Sequence, residues 1–209
     1  KVLSQVKAKY VLGLTATPYR RDGHQPIIHM QCGPIAHRIK QKDLSAHISA
    51  SWIFPRTTDF DHAWNDDIQI QDVSSRMIED MERNQLIVQD VVESLGEGRF
   101  PLILTERREH LEILAKLLEG KVEVLFQLHG GVRQKARREA VEKIKGSPED
   151  CRKVILATGS YIGEGFDAPR LDTLFLTMPS SFKGKIVQYA GRLHRYHKDK
   201  KDIRIYDYI

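Results

Sequence analysis

The chain has 209 residues, a formal net charge of +5 at neutral pH and 41% hydrophobic residues, which suits one ordinary domain or one domain plus a piece of another. No uninterrupted apolar run approaches the length needed to span a membrane, so no membrane partner is expected. Cys32 and Cys151 lie far apart with no Cys-x-x-Cys, which suggests neither a disulfide framework nor a metal site and makes a soluble, reducing, cytoplasmic compartment the expectation. The first residue is Lys1, with no Met and no signal-like stretch, so the beginning reads as a cut end.

Charge is unevenly placed. Residues 57–97 carry eleven acids against Arg76 and Arg83, whereas residues 183–204 carry eight Lys or Arg against Asp199 and Asp202. The second cluster offers an anionic partner a surface, or is a solvated basic face.

In chain order, Tyr10–Leu14 is expected to be a strand ending at Thr15-Ala-Thr-Pro18, where small hydroxyl residues can bond neighbouring loops and Pro stops the strand. A loop with Arg20, Arg21, Asp22, Gly23 and His24 follows, then a strand over residues 48–54 that opens a second unit. Residues 57–83 are weakly patterned and read as a linker plus an amphipathic helix. From about residue 84 helix and strand alternate. Leu86, Ile87, Val88, Val91, Val92 and Leu95 recur at helical spacing, with Gly96 placed to end that helix. Strands are expected over 100–105, 122–125, 153–158, 171–177 and 203–208. Helices are expected around Leu111–Leu118, closed by Gly120, and over 134–144 and 186–196. Apolar runs such as Val154-Ile-Leu-Ala157 are what strands covered on both faces require, so the pattern predicts a mostly parallel sheet with helices on both sides.

Three segments at the ends of these strands carry chemistry, and a fourth lies on the last helix. Thr105, Glu106 and Arg107 follow one strand. Leu128-His129-Gly130-Gly131, then Gln134 and Arg137, follow another and open a helix, whose backbone amides suit a phosphate. Thr158-Gly159-Ser160 leads to Gly163-Glu-Gly165-Phe-Asp167, where glycines permit close approach and Asp167 offers an acceptor for a ribose hydroxyl. Gln188-Tyr-Ala-Gly191-Arg192-Leu-His-Arg195 places Gln188 and two guanidiniums on adjacent turns of a helix, and paired guanidiniums suit a triphosphate.

These segments, in this order, resemble the second RecA-like domain of a superfamily-two helicase or translocase. Thr15-Ala16-Thr17 resembles motif III, Leu104–Arg107 motif IV, Thr158–Asp167 motif V and Gln188–Arg195 motif VI. Thr-Ala-Thr-Pro-Tyr-Arg-Arg-Asp-Gly and Gly-Glu-Gly-Phe-Asp-Ala-Pro are similar to the DNA-directed group that includes type III restriction subunits and repair helicases. The resemblance implies a RecA-like three-layer α/β/α domain of the P-loop NTPase-like kind over residues 48–209. Residues 1–47 would be the terminal piece of the first RecA-like domain and its crossover. It implies ATP and Mg²⁺ as cofactors and nucleic acid, DNA rather than RNA, as a partner. The phosphate loop and metal carboxylate would lie in the first RecA-like domain, so this chain alone is expected to be inactive. Arg195 would be the arginine finger and Arg192 a second phosphate contact. Gln188 would sense the γ-phosphate or serve the domain interface. Gly165 and Asp167 would hold the nucleotide, and Thr15 and Thr17 would couple hydrolysis to closure. Thr105, Arg107, His129, Gly130, Gln134, Arg137, Thr158 and Gly159 would follow the nucleic-acid backbone. The alternative is a binding or regulatory module on the same fold that does not hydrolyse ATP.

Overall fold

The computed structural model describes residues 8–15, 23–24, 26–39, 50–61, 69–131, 134–148, 151–159, 168–179 and 183–209. Six strands form one sheet: β1 (Ser51–Arg56), β2 (Pro101–Thr105), β3 (Val124–Leu128), β4 (Lys153–Thr158), β5 (Thr173–Leu176) and β6 (Ile203–Tyr208). Their order is β1-β6-β5-β2-β4-β3, and every pairing among the described residues is parallel. Parallel neighbours need long crossovers, and helices supply them. After β1 come α2 (Ile70–Glu79) and α3 (Met81–Gly96), then α4 (Arg108–Leu118), α5 (Gln134–Gly146) and α6 (Lys183–Leu193).

Alternation along the central strands divides the core in two. Leu102, Leu104, Ile155, Ala157 and Leu174 face one way and pack with Ile144 of α5 and Tyr189 and Leu193 of α6. Ile103, Val154, Leu156 and Phe175 face the other way, onto Ile87, Val91 and Leu95 of α3 and Leu111, Leu114 and Leu118 of α4. The chain is thus a three-layer α/β/α domain of RecA-like form. Every residue of β2 and β4 is buried, as the continuous apolar runs require.

Element ends follow local chemistry. Asp80 breaks α2 from α3 by turning extended (ψ 102°) and caps α3, its carboxylate accepting from the Arg83 N–H at 3.0 Å. Helix α3 closes in a Schellman turn: Arg99 N–H reaches Ser94 O and Gly98 N–H reaches Leu95 O, both at 3.1 Å. The left-handed residue of that turn is Gly98 (φ 75°) rather than Gly96, and Gly120 (φ 71°) ends α4 as expected.

Four expectations are corrected. Tyr10–Leu14 forms no strand; Tyr10, Leu12 and Leu14 are 80%, 83% and 86% exposed. An apolar run becomes a strand only when a neighbour takes its backbone N–H and C=O groups, and no ladder to it occurs among the described residues. The segment instead lies against α1 (Pro26–Cys32), a helix in a stretch given no regular structure above; a β-carbon on Gly13 would sit 3.1 Å from Cys32 Sγ. Strand β3 runs from Val124 to Leu128, later than expected, because its register is set by β4: Val124 pairs Lys153 and Leu128 pairs Ala157. Helix α6 stops at Leu193, so Arg195 lies beyond the helix rather than on its next turn.

The free edge of the sheet is fastened to α3 by a buried carboxylate. Asp90, 4% exposed, accepts from Arg56 Nε at 2.9 Å, from the other guanidinium nitrogen at 2.8 Å and from the Tyr208 hydroxyl at 2.8 Å. Burial and the Asp90 carboxylate hold the Tyr208 phenol far above its ordinary pKa, so it stays a donor. Tyr208→Phe is expected to cost about 2 kcal/mol, since a hydrogen bond to a buried charged acceptor is lost while the ring remains. Urea unfolding followed by circular dichroism checks this, and a change below about 0.5 kcal/mol would show that Arg56 alone satisfies Asp90.

Candidate functional site

The ladder brings the candidate segments to one edge of the sheet. Thr105 pairs Thr158, Leu128 pairs Ala157 and Leu104 pairs Leu176, so four strands finish side by side. In open α/β sheets this carboxyl edge is where ligands bind. Gly159 N–H donates to Thr105 O at 3.1 Å, which continues the β2–β4 pairing one step past the strands. Thr177 ties in the fourth loop, its N–H and hydroxyl both reaching Leu104 O, at 3.0 and 2.8 Å.

Thr105 is 2% exposed and belongs to a buried relay whose polarity can be read from one end. The Asn84 amide nitrogen donates to Ile78 O at 2.8 Å, so the Asn84 oxygen accepts from His110 Nε2, also at 2.8 Å. His110 Nδ1 is then the bare nitrogen and accepts the Thr105 hydroxyl at 3.0 Å. The Thr105 oxygen in turn accepts the Arg107 N–H at 3.3 Å. The relay thus holds Arg107, the N-cap residue of α4, to the helices behind it. Burial, with the nearby Arg83 charge, pushes His110 down to about 3.

The second convergence is at Gly159, which is buried. Its carbonyl accepts the hydroxyl of Tyr189, which projects from α6. A β-carbon at this position would sit 2.7 Å from that hydroxyl and 3.1 Å from Glu106 Oε1, so only glycine lets the loops after β2 and β4 and the helix α6 meet. Burial and then the Glu106 carboxylate push the Tyr189 phenol up to about 12, opposed by Arg192. The loop after β3 stands at the exposed rim: Gly130 and Gly131 are exposed, and Gly131 N–H donates to His129 Nδ1 at 3.1 Å. Arg108 reaches the same place, since a β-carbon on Gly131 would lie 3.3 Å from its guanidinium. Arg108 is itself 63% exposed and pairs Glu112 at 2.8 Å.

The third group is on α6. Arg192 is half-buried in the last turn, and Arg195 is exposed just after it, its N–H donating to Arg192 O at 3.3 Å. Two guanidiniums three residues apart at a helix end are of the type that suits a phosphate chain. Among the described residues no group of three His, Cys, Asp or Glu could hold a metal ion. Thr158 is buried at the end of β4, and Thr15 is exposed. Thr17, Gly165 and Asp167 lie outside the described residues, as do the side chains of Gln134, Arg137 and Gln188. Sequence reasoning assigned no role to Arg108, His110 or Tyr189. Arg108 was signalled only by adjacency to Arg107, and His110 looked like one more polar residue of an amphipathic helix.

The profile of the helicase conserved C-terminal domain matches residues 82–197, more than half of the chain. The chain belongs to this family. It is similar to the transcript termination protein A18 of camelpox virus (strain CMS), 28% identical over 197 residues that cover 87% of this chain and 37% of that protein. The monkeypox virus transcript termination protein OPG145 is 29% identical over 196 residues with the same coverage. The chain thus spans 37% of the length of these curated relatives. Two solved structures share the fold: T4 UvsW, with a TM-score of 0.59 and 16% identity over 78% of this chain and 33% of that one, and the E. coli DEAD-box protein SrmB bound to RraA, with 0.51 and 16% over 82% and 79%. This chain therefore carries a helicase conserved C-terminal domain with a RecA-like fold, and no helix among its described residues is long and apolar enough to cross a membrane.

The relay sets a pH dependence. His110 takes up a proton at about 6.5 when unfolded but only at about 3 when folded. The unfolded state therefore binds more protons between those values, and stability is lost as pH falls below about 6.5. Wild type should lose up to about 1.4 kcal/mol per pH unit from this group, a slope that His110→Gln lacks. Urea unfolding at several pH values between neutral and about 5 compares the two slopes; parallel curves would mean that His110 takes up its proton equally readily in the folded and unfolded protein.

Proposed function

We propose that this domain is half of an ATP-dependent motor that moves on nucleic acid, with DNA as its track. The observation that carries this reading is the β2–β4 register. It sets Thr105 beside Thr158, so β2 and β4 end side by side, while Arg192 lies on α6 and Arg195 just beyond its end. The motif residues after Pro18 and around Asp167 support DNA and the type III restriction-like grouping. The poxvirus relatives are named for transcript termination, work that takes place on a nucleic-acid template.

Residues 1–47 belong, in this reading, to the end of the first RecA-like domain, and the second domain begins at residue 48. ATP, held with Mg²⁺ between the two domains, supplies the phosphoanhydride whose hydrolysis drives movement. Arg195 meets the charge that develops on the transferring phosphoryl group, and Arg192 holds a neighbouring phosphate. In this reading Gln188 senses the γ-phosphate or serves the domain interface, Gly165 and Asp167 hold the nucleotide, and Thr15 and Thr17 couple closure to hydrolysis. On the nucleic-acid edge Arg107, Arg108, His129, Gly130, Gln134 and Arg137 contact phosphates, which fixes position without reading sequence. Thr105, Thr158 and Gly159 serve that edge from beneath. The Thr105 hydroxyl goes to His110 and the Gly159 N–H to Thr105, so these residues set the loops in place.

Arg195→Ala in the intact protein should lower kcat by roughly a thousandfold to a hundred-thousandfold, or about 4 to 7 kcal/mol, with nucleotide affinity largely kept. Arg195→Lys should recover little, because an ammonium lacks the planar fork. Steady-state hydrolysis and nucleotide titration at saturating DNA check both variants, and near-normal kcat in Arg195→Ala would move the role to Arg192. Arg107→Ala and Arg108→Ala should each weaken binding alike on unrelated DNA sequences and flatten the slope of log affinity against log salt by roughly 0.7 to 0.9. Anisotropy titrations over a salt series measure this, and a loss confined to one sequence would contradict phosphate contact.

A further inference from the structure

We infer that Lys200 is a positioning residue for Arg195, its side chain clamping the end of α6 to the turn that carries the second arginine. The inference rests on the assignment of Arg195 as the finger.

A helix leaves its last carbonyls without partners, and α6 has no glycine in a left-handed C-cap to close it. His194 N–H takes Ala190 O at 3.2 Å and Arg195 N–H takes Arg192 O at 3.3 Å. The Lys200 ammonium then donates to Leu193 O at 2.6 Å and to Arg195 O at 2.8 Å. One side chain thus closes residues 193–200 into a ring, and one of its two acceptors is the carbonyl of Arg195 itself. The far side of the ring is also tied: Lys200 N–H reaches His197 O at 3.2 Å, and Asp199 N–H reaches His197 Nδ1 at 3.4 Å.

The surroundings favour a fixed clamp. Lys200 is 9% exposed, between exposed Asp199 and Lys201, so it is the inward member of the basic run. Its charge meets the negative end of the α6 dipole. Burial pulls its pKa down to about 8, with Asp172 raising it and Arg170 lowering it, so most of it stays protonated at neutral pH. Arg195 is exposed just past the helix, its N–H held by Arg192 O and its C=O by the Lys200 ammonium. A finger acts only if its guanidinium arrives at the phosphoryl group in register, so the backbone beneath it must be held on both sides.

The test uses the intact protein with saturating DNA and the variants Lys200→Met, Lys200→Gln and Arg195→Ala, with both Lys200 changes also combined with Arg195→Ala. Lys200→Met should lower kcat about ten- to a hundredfold while nucleotide affinity changes less than about twofold. Amide hydrogen exchange over residues 193–199 should quicken in the same variant, with or without nucleotide. Lys200→Gln, which keeps a donor without the charge, should fall between wild type and Lys200→Met. In the Arg195→Ala background the Lys200 changes should cause no further loss of kcat, because they act through a side chain that is no longer there. If Lys200→Met does not fold, Lys200→Gln carries the same cycle. Normal kcat in a folded Lys200→Met, or an equal loss in both backgrounds, would overturn the clamp and leave the finger standing. Normal kcat in Arg195→Ala would overturn the finger and, with it, this role for Lys200.

Discussion

The parallel ladder between β2 and β4 is the constraint on which the rest of the domain depends. Both strands are buried along their whole length, so every backbone N–H and C=O must find its partner in the sheet. A shift of one residue would carry Ile103 and Leu156 to the wrong face and empty both cores at once. The register is therefore held by the same apolar side chains that make the strands. Because it pairs Thr105 with Thr158, it also decides that the loops after these strands start side by side. The site is a consequence of core packing before any residue in it is chosen for chemistry.

Buried polar groups then convert that edge from a set of loose ends into a fixed surface. The relay from Ile78 through Asn84 and His110 to Thr105 joins the end of α2, the start of α3, the first turn of α4 and the end of β2. Each member has a defined donor or acceptor role, which is the condition under which a buried network specifies one arrangement. Tyr189 does the same between α6 and the loop after β4. The helix that carries Arg192 is thereby linked through one tyrosine to the end of β4. Movement of either partner must break or carry that contact.

Two buried lysines act where helix ends would otherwise leave carbonyls bare. Lys153 donates to Ser147 O and Pro148 O, at 3.2 and 3.1 Å, just beyond α5, and Lys200 does so just beyond α6. In both cases the ammonium satisfies two acceptors in a place where no left-handed glycine closes the helix. In both, the stem lies within the fold while the ammonium donates to backbone oxygens.

The strand-helix alternation, the two-faced burial of the central strands and the four motif segments were legible in the sequence. Each is a local pattern: an apolar period, a glycine after a helix, a short run such as Gly191-Arg192 at fixed spacing. Tyr10–Leu14 shows the limit of that reading, since its apolar residues look like a strand but no neighbour among the described residues supplies the hydrogen bonds. The length of β3 was decided by pairing with β4, and α6 ends at Leu193, short of the expected Tyr196. Nothing near Thr105 in the sequence says that its hydroxyl belongs to His110 and Asn84, and nothing near Arg195 says that its carbonyl belongs to Lys200. Local periodicity determines which residues make elements and which faces they bury. The partners of buried polar groups depend on residues far apart in the chain, so only the tertiary structure could assign them.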